Sequence, residues 1–184
     1  MLKTKNVDKE TVSEIERDVN RLETITERFS KIGSTPVLSN VNIVQVIEKS
    51  INYMKTRLSD KVTFNITFIP NDEIRVPVNI ALFEWVIENL CRNATDAMNG
   101  NGTVDIIVTD NIQVVYIDMK DTGKGIPKSK YKTIFNPGYT TKQRGWGLGL
   151  SLAERIIESY HSGKIFVKNS ELYKGTTFRI VLKK

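Results

Sequence analysis

The sequence predicts an α+β fold: a two-layer sandwich with three helices on one face of a mixed, mostly antiparallel sheet, preceded by one long N-terminal helix. Three observations carry this expectation. Stretches with a helical apolar period alternate with β-branched strand-like stretches. Two pairs of the strand-like stretches are close enough in sequence to be hairpins. The chain has 184 residues, 40% of them hydrophobic, which suits one compact core with a short appendage.

The elements follow in order. From Val7 to Ile32, apolar residues Val12, Ile15, Val19, Leu22, Ile25, Phe29 and Ile32 recur at steps of three and four, with charged residues between them. These steps read as heptads, which favours a helical-bundle or dimer seam over simple packing on the following domain. Gly33-Ser34-Thr35-Pro36 stops this helix, so residues 1–36 are expected to stand apart from a second unit, 37–184. Val41 to Leu58 reads as an amphipathic helix with Asn42 as N-cap. Val62 to Ile69 alternates as a strand, and Ile74 to Val78 is a short edge strand because of Pro77. Asn79 to Met98 is a long helix, ended by Asn99-Gly100-Asn101-Gly102. Thr103–Thr109 and Gln113–Met119 form a hairpin. Leu148 to Tyr160 is the last helix, and Lys164–Lys168 with Thr176–Leu182 the last hairpin. Between them, Lys124 to Trp146 is too long for a plain connection and shows no apolar pattern. It is expected to be a lid that moves when no ligand is bound.

Composition excludes several classes. One cysteine, Cys91, and one histidine, His161, exclude a disulfide framework and a Cys/His zinc cluster. No apolar run spans a membrane and no signal peptide opens the chain. The net charge is +6, but it is local. Lys124, Lys128, Lys130, Lys132, Lys142 and Arg144 fall in a segment without acidic residues, and the rest of the chain sums to zero. A basic, glycine-bearing segment suits a compact polyphosphate better than a nucleic-acid duplex.

Three clusters carry chemistry. Asn89 and Asn93 are four apart on the long helix and share a face, with Asp96 three further on. Magnesium favours oxygen ligands completed by substrate phosphates, so the Asn93 amide oxygen suits it; the alternative is a pair of solvated amides. Asp121-Thr122-Gly123-Lys124-Gly125 follows a strand. A carboxylate there can accept from the adenine amino group and would repel the guanine carbonyl; the alternative is an ordinary Asp/Gly turn. Arg144-Gly145-Trp146-Gly147-Leu148-Gly149 leads into the last helix, whose first-turn N–H groups favour anions. The glycines do not follow a first βαβ strand, and GxxxxGK[ST] is absent, which excludes Rossmann and P-loop sites.

Taken together, these segments resemble the ATP-binding domain of sensor histidine kinases, within the superfamily that includes gyrase-type and chaperone ATPases (the Bergerat, or GHKL, fold). Glu88-Asn89-Leu90-Cys91-Arg92-Asn93-Ala94 resembles the N box, and Asp121 to Gly125 the first glycine box. Phe135-Asn136-Pro137-Gly138-Tyr139-Thr140-Thr141-Lys142 resembles the lid box, and Gly145 to Leu150 the second glycine box. The resemblance implies ATP and Mg2+ as ligands. It implies Asn93 as the metal ligand, with Asn89 and Lys142 completing the catalytic set. It implies a nucleotide pocket of Asp121, Gly123, Gly125, Ile126, Arg144, Gly145, Gly147, Leu148, Gly149 and Thr177, the last holding a water or the adenine edge. The helix at 7–32 resembles the second helix of the dimerisation and phosphoacceptor hairpin. A parent homodimer, a response-regulator receiver domain as partner and a cytoplasmic location follow, with no nucleic-acid or membrane contact by this chain.

Three departures bear on activity. The helix that carries the phosphoacceptor histidine is missing, so the chain is expected to be a fragment that does not phosphorylate itself; a separate histidine-bearing protein is the alternative. His161, at the end of the last helix, is expected to be structural. Asn89 stands where ATP-hydrolysing relatives carry a glutamate base, and Asp96 where many kinases carry lysine. An ATP-hydrolysing switch and a non-catalytic nucleotide-binding dimer module are the competing functions.

Overall fold

The computed structural model describes residues 36–70, 73–142 and 145–184. The helix expected over Val7–Ile32 and the candidate residue Arg144 lie outside the described residues.

The described chain opens with β1 (Ser39–Asn42) and α1 (Ile43–Lys55). Asn42 caps α1 as expected. Its Oδ1 accepts the Val44 N–H at 3.2 Å. The helix buries Ile43, Val44, Val46, Ile47, Ile51 and Met54 on one face. Then come β2 (Val62–Ile69), β3 (Arg75–Val78) and α2 (Ile80–Ala97). The side chain of Asn79 caps α2 through the Leu82 N–H at 3.1 Å. Strands β4 (Gly102–Asp110) and β5 (Val114–Asp121) form the first hairpin. Helix α3 (Gly149–Arg155) runs into a wider π turn, Ile156–Tyr160. Strands β6 (Lys164–Glu171) and β7 (Gly175–Lys183) close the fold as the second hairpin.

The main sheet has five strands in the order β2-β4-β5-β7-β6. Among the described residues only β2 and β4 run parallel, because β3 and α2 form the crossover between them. β3 is not part of this sheet. It pairs antiparallel with β1 in a separate two-stranded ribbon, with Pro77 opposite Asn40. Sequence reading missed β1, since Ser39-Asn40-Val41-Asn42 is too polar and too short to show a strand period.

One face of the main sheet builds the core. Val104, Ile106 and Val108 of β4 lie beside Val115, Ile117 and Met119 of β5 and Phe178, Ile180 and Leu182 of β7. Phe83, Val86, Ile87 and Leu90 of α2 are buried in the same cluster. Each such side chain contributes about 1.5–3 kcal/mol on burial. The other face is polar. There Asp118 holds Arg179 through two contacts of 2.6 Å and Lys168 at 2.8 Å.

The segment from Lys124 to Trp146 is not one unanchored lid. Short 3₁₀ turns occur at Lys128–Lys130 and Thr133–Phe135. Ile134 and Phe135 are buried, and Phe135 meets Phe178 edge-on at 6.3 Å. Two adjacent apolar residues are too few to register as a period, yet they suffice to pin the first half of the segment to the core.

Candidate nucleotide site

The site lies on the helix face of the sheet, where β5 ends and β7 begins. Asp121 is the last residue of β5 and shares the inward face of Met119 and Ile117. It is 3% exposed. Its Oδ1 accepts the Gly123 N–H at 2.8 Å and the Thr176 N–H at 3.3 Å. No described group bonds Oδ2. Burial pushes the carboxyl pKa up, and the two backbone hydrogen bonds offset part of that. The carboxylate is thus fixed by one oxygen and offers the other as an acceptor.

Glycines 123 and 125 act mainly on the protein itself. A β-carbon on Gly123 would stand 2.7 Å from the Ala97 carbonyl, and the Lys124 N–H donates to that carbonyl at 3.0 Å. The loop after β5 is thereby tied to the end of α2, one turn beyond Asn93. Gly125 has φ +72° and presses against the Glu171 backbone, where any side chain would collide. Both the positive φ and the close approach require glycine there. Ile126 donates its N–H to Ser170 Oγ at 2.7 Å.

Thr177 does not face the pocket, contrary to expectation. It pairs with Lys120 across the sheet and shares the polar face with Arg179 and Asp118, away from Asp121. The threonine beside Asp121 is Thr176. Its hydroxyl lies 2.9 Å from Ser170 Oγ, and Ser170 in turn donates to the Gly175 carbonyl at 2.9 Å. Sequence reading missed both Thr176 and Ser170. A signal for Thr176 was available, since Phe178, Ile180 and Leu182 mark the even positions of β7 as inward-facing.

On α2, Asn89 and Asn93 flank the apolar stripe, half-buried. Asn89 Nδ2 is buried with no hydrogen-bond partner among the described residues. Its carboxamide lies against Gly149, the first residue of α3. Leu148, the residue at the N-cap of α3, supplies no side-chain hydrogen bond to the first-turn N–H groups. Lys142 reaches from the lid to this row: its Nζ donates to Asn93 Oδ1 at 2.9 Å and pairs with Asp96 Oδ2 at 2.5 Å. The lid and the second glycine stretch meet where the Gly138 N–H donates to the Gly147 carbonyl at 3.1 Å. Gly147 has φ +66°, and a β-carbon there would collide with the Gly138 carbonyl. A β-carbon on Gly145 would lie 3.6 Å from the Lys142 side chain.

His161 is structural, as expected. It is 4% exposed, its Nδ1 bonds the Ile156 carbonyl at 2.8 Å, and its Nε2 accepts the Asn79 N–H at 3.0 Å. Both ring nitrogens are used in the neutral tautomer, so neither is a free nucleophile.

Residues 79–184 match the family described as histidine kinase-, DNA gyrase B-, and HSP90-like ATPase, and the chain belongs to that family. Within it, the chain is homologous to sensor histidine kinases. It is 33% identical to sporulation kinase A of Bacillus subtilis over 166 residues, covering 89% of this chain and 27% of that protein. It is 33% identical to the sensor histidine kinase ZraS of Salmonella typhimurium over 147 residues, covering 79% of this chain and 31% of ZraS. The chain therefore spans less than a third of these relatives. Among solved structures, the catalytic domain of histidine kinase ThkA superposes with TM-score 0.73 at 30% identity, over 80% of this chain and 95% of that one. A structure of ThkA with the response regulator TrrA superposes with TM-score 0.76 at 27% identity, over all of this chain and 53% of that one. No helix among the described residues is long and apolar enough to cross a membrane.

Proposed function

We propose that residues 37–184 are the ATP-binding catalytic domain of a sensor histidine kinase, and that residues 1–36 are a partial dimerisation helix with its linker. The observation that carries this reading is the fixed, half-open carboxylate of Asp121. One oxygen is held by the Gly123 and Thr176 N–H groups, and the other is free to accept the adenine amino group.

The remaining residues suit the triphosphate. Asn93 would hold Mg2+ through Oδ1, an oxygen that already attracts a cation in the form of the Lys142 ammonium. Asn89, with its unpartnered buried Nδ2, would donate to a phosphate oxygen beside it. The metal would neutralise charge on the transferring group. Gly145, Gly147, Leu148 and Gly149 would wrap the phosphates with backbone N–H groups, with Arg144 and Lys142 adding positive charge. A neutral imidazole attacks the γ-phosphorus, its N–P bond forms as the bridging P–O bond breaks, and ADP leaves. The residue preceding Asn93 by one helical turn is Asn89 rather than a carboxylate, which favours this transfer over attack by water.

The acceptor histidine would belong to a segment or protein other than this sequence, whose single histidine, His161, is buried with both ring nitrogens bonded. The receiver domain of a response regulator is the downstream partner, as ThkA pairs with TrrA. Use of ATP as donor supports a cytoplasmic location for this domain.

Calorimetry with Mg2+ and a non-hydrolysable ATP analogue tests the pocket. Transfer from labelled ATP to a separately supplied histidine-bearing hairpin tests the activity. Absence of nucleotide binding would refute the reading; binding without transfer to any hairpin would favour a non-catalytic dimer module; steady phosphate release without an acceptor would favour the hydrolytic switch.

A further inference from the structure

Lys142 occupies the cation position of α2. Asn93 and Asp96 are three residues apart, so one helical turn presents an amide oxygen and a carboxylate oxygen to a single ammonium. The lid backbone is held at the same point, where the Lys142 N–H donates to Thr140 Oγ1 at 3.1 Å. Asn93 Oδ1 is also the atom assigned above to Mg2+. An ammonium at hydrogen-bond distance and a metal at ligand distance would repel each other across that oxygen.

We propose that Asp96 is a positioning residue that parks the Lys142 ammonium on Asn93 Oδ1 in the nucleotide-free protein, so that Mg2+ enters by displacing a tethered cation. The inference deepens the reading of Asn93 as the metal ligand and rests on it. Mg2+ arrives with the triphosphate, which offers the displaced ammonium new acceptors. Asn93 and Asp96 meanwhile keep their acceptors satisfied before nucleotide binds. The lock is weak by construction. The side chains of Lys142 and Asp96 are 42% and 54% exposed. Water and salt therefore screen the pair. Exposed pairs of this kind shift an equilibrium by up to about fivefold.

Two roles for Asp96 predict opposite signs. As a bare anion near the metal, its neutralisation would raise the Mg2+ requirement. As the parking group, its neutralisation would release the competitor and lower it. The experiment measures the Mg2+ concentration that half-saturates the gain in ATP-analogue affinity, by calorimetry. Wild type, Asp96→Asn and Asp96→Glu are compared, and Asp96→Asn is repeated in a Lys142→Met background. Asp96→Asn is expected to lower the half-saturating Mg2+ by roughly two- to fivefold. Asp96→Glu is expected to restore the wild-type value, and Asp96→Asn to lose its lowering effect in the Lys142→Met background. In the absence of nucleotide, acylation of Lys142 by an amine reagent, read by mass spectrometry, should speed up in Asp96→Asn. A raised or unchanged Mg2+ requirement, the same lowering in both backgrounds, or unchanged Lys142 labelling would overturn the proposal and leave Asn93 as metal ligand intact. If wild-type affinity did not depend on Mg2+ at all, the metal assignment would fail and the parking would fall with it.

Discussion

The carboxamide of Asn89 lies where a β-carbon on Gly149 would stand. Helices α2 and α3 approach this closely because glycine opens the second helix, and the approach presses the Asn89 amide oxygen onto the first residue of α3 while its nitrogen is buried without a partner among the described residues. Gly149→Ala should therefore separate two effects. Alanine is the better helix former, so local propensity improves. The added methyl forces Asn89 aside, an overpacking cost of about 1–3 kcal/mol. Affinity for the ATP analogue is expected to fall by about tenfold or more, with the far-ultraviolet circular dichroism unchanged. Wild-type affinity in this variant would show that Asn89 does not face the ligand.

Asp121→Asn tests the base contact. The amide oxygen can still accept from the Gly123 and Thr176 N–H groups, so the loop after β5 should keep its shape. The second oxygen becomes an NH2 group, which meets the adenine amino group donor to donor. An unsatisfied buried pair of this kind costs about 1–3 kcal/mol, which is roughly 5- to 150-fold in affinity. The melting temperature should move by only a few degrees. Equal calorimetric affinities for wild type and variant would remove Asp121 from the adenine site.

The sheet and helices were legible because their signals are periodic. Val62–Ile69 matched its alternation, and Asn42 and Asn79 cap the helices that follow them. Thr177 was misplaced for a different reason. The Gly175-Thr176-Thr177-Phe178 wording gives no direction to either hydroxyl, whereas the alternation from Phe178 to Leu182 does. Contacts between distant segments left no trace in the sequence at all. The Lys142–Asn93 bond joins residues 49 positions apart, and Ser170 meets Ile126 across 44. Such pairings depend on how the lid folds back over α2 and β6, which no local period encodes.

A third prediction concerns the polar face of the sheet, away from the proposed pocket. Asp118 is buried between Arg179 and Lys168, and Arg179 stacks on Tyr116 at 4.6 Å. Burial raises the Asp118 pKa, but the hydrogen bonds and charges of Arg179 and Lys168 outweigh it and hold the carboxyl below its ordinary value. Asp118→Asn would leave two cations side by side without their anion. We expect a loss of about 1–2 kcal/mol in urea unfolding, discounted because Lys168 is half exposed. Nucleotide affinity should not change. A stability equal to wild type would show that the cluster is mere surface charge.

The last prediction follows from His161. Burial is the main cause that lowers its pKa, and the hydrogen bonds to Ile156 and Asn79 oppose it only in part. The native state therefore holds the ring neutral below the pH at which the unfolded chain takes up a proton, about 6.5. Stability contributed by this group is complete above about pH 6.5 and is lost as pH falls toward the folded pKa, at no more than about 1.4 kcal/mol per pH unit. Asp118 acts in a lower window, since its stabilisation is complete above the ordinary aspartate value of about 3.9 and is lost only as pH falls through its depressed folded value. The melting temperature should thus decline between about pH 7 and about pH 5. The mechanism is specific: protonated Nε2 would confront the Asn79 N–H, donor to donor, at the point where α2 begins. His161→Gln should be less stable at neutral pH and should show a shallower decline over the same range. A decline of equal slope in the variant would assign the acid sensitivity to other groups.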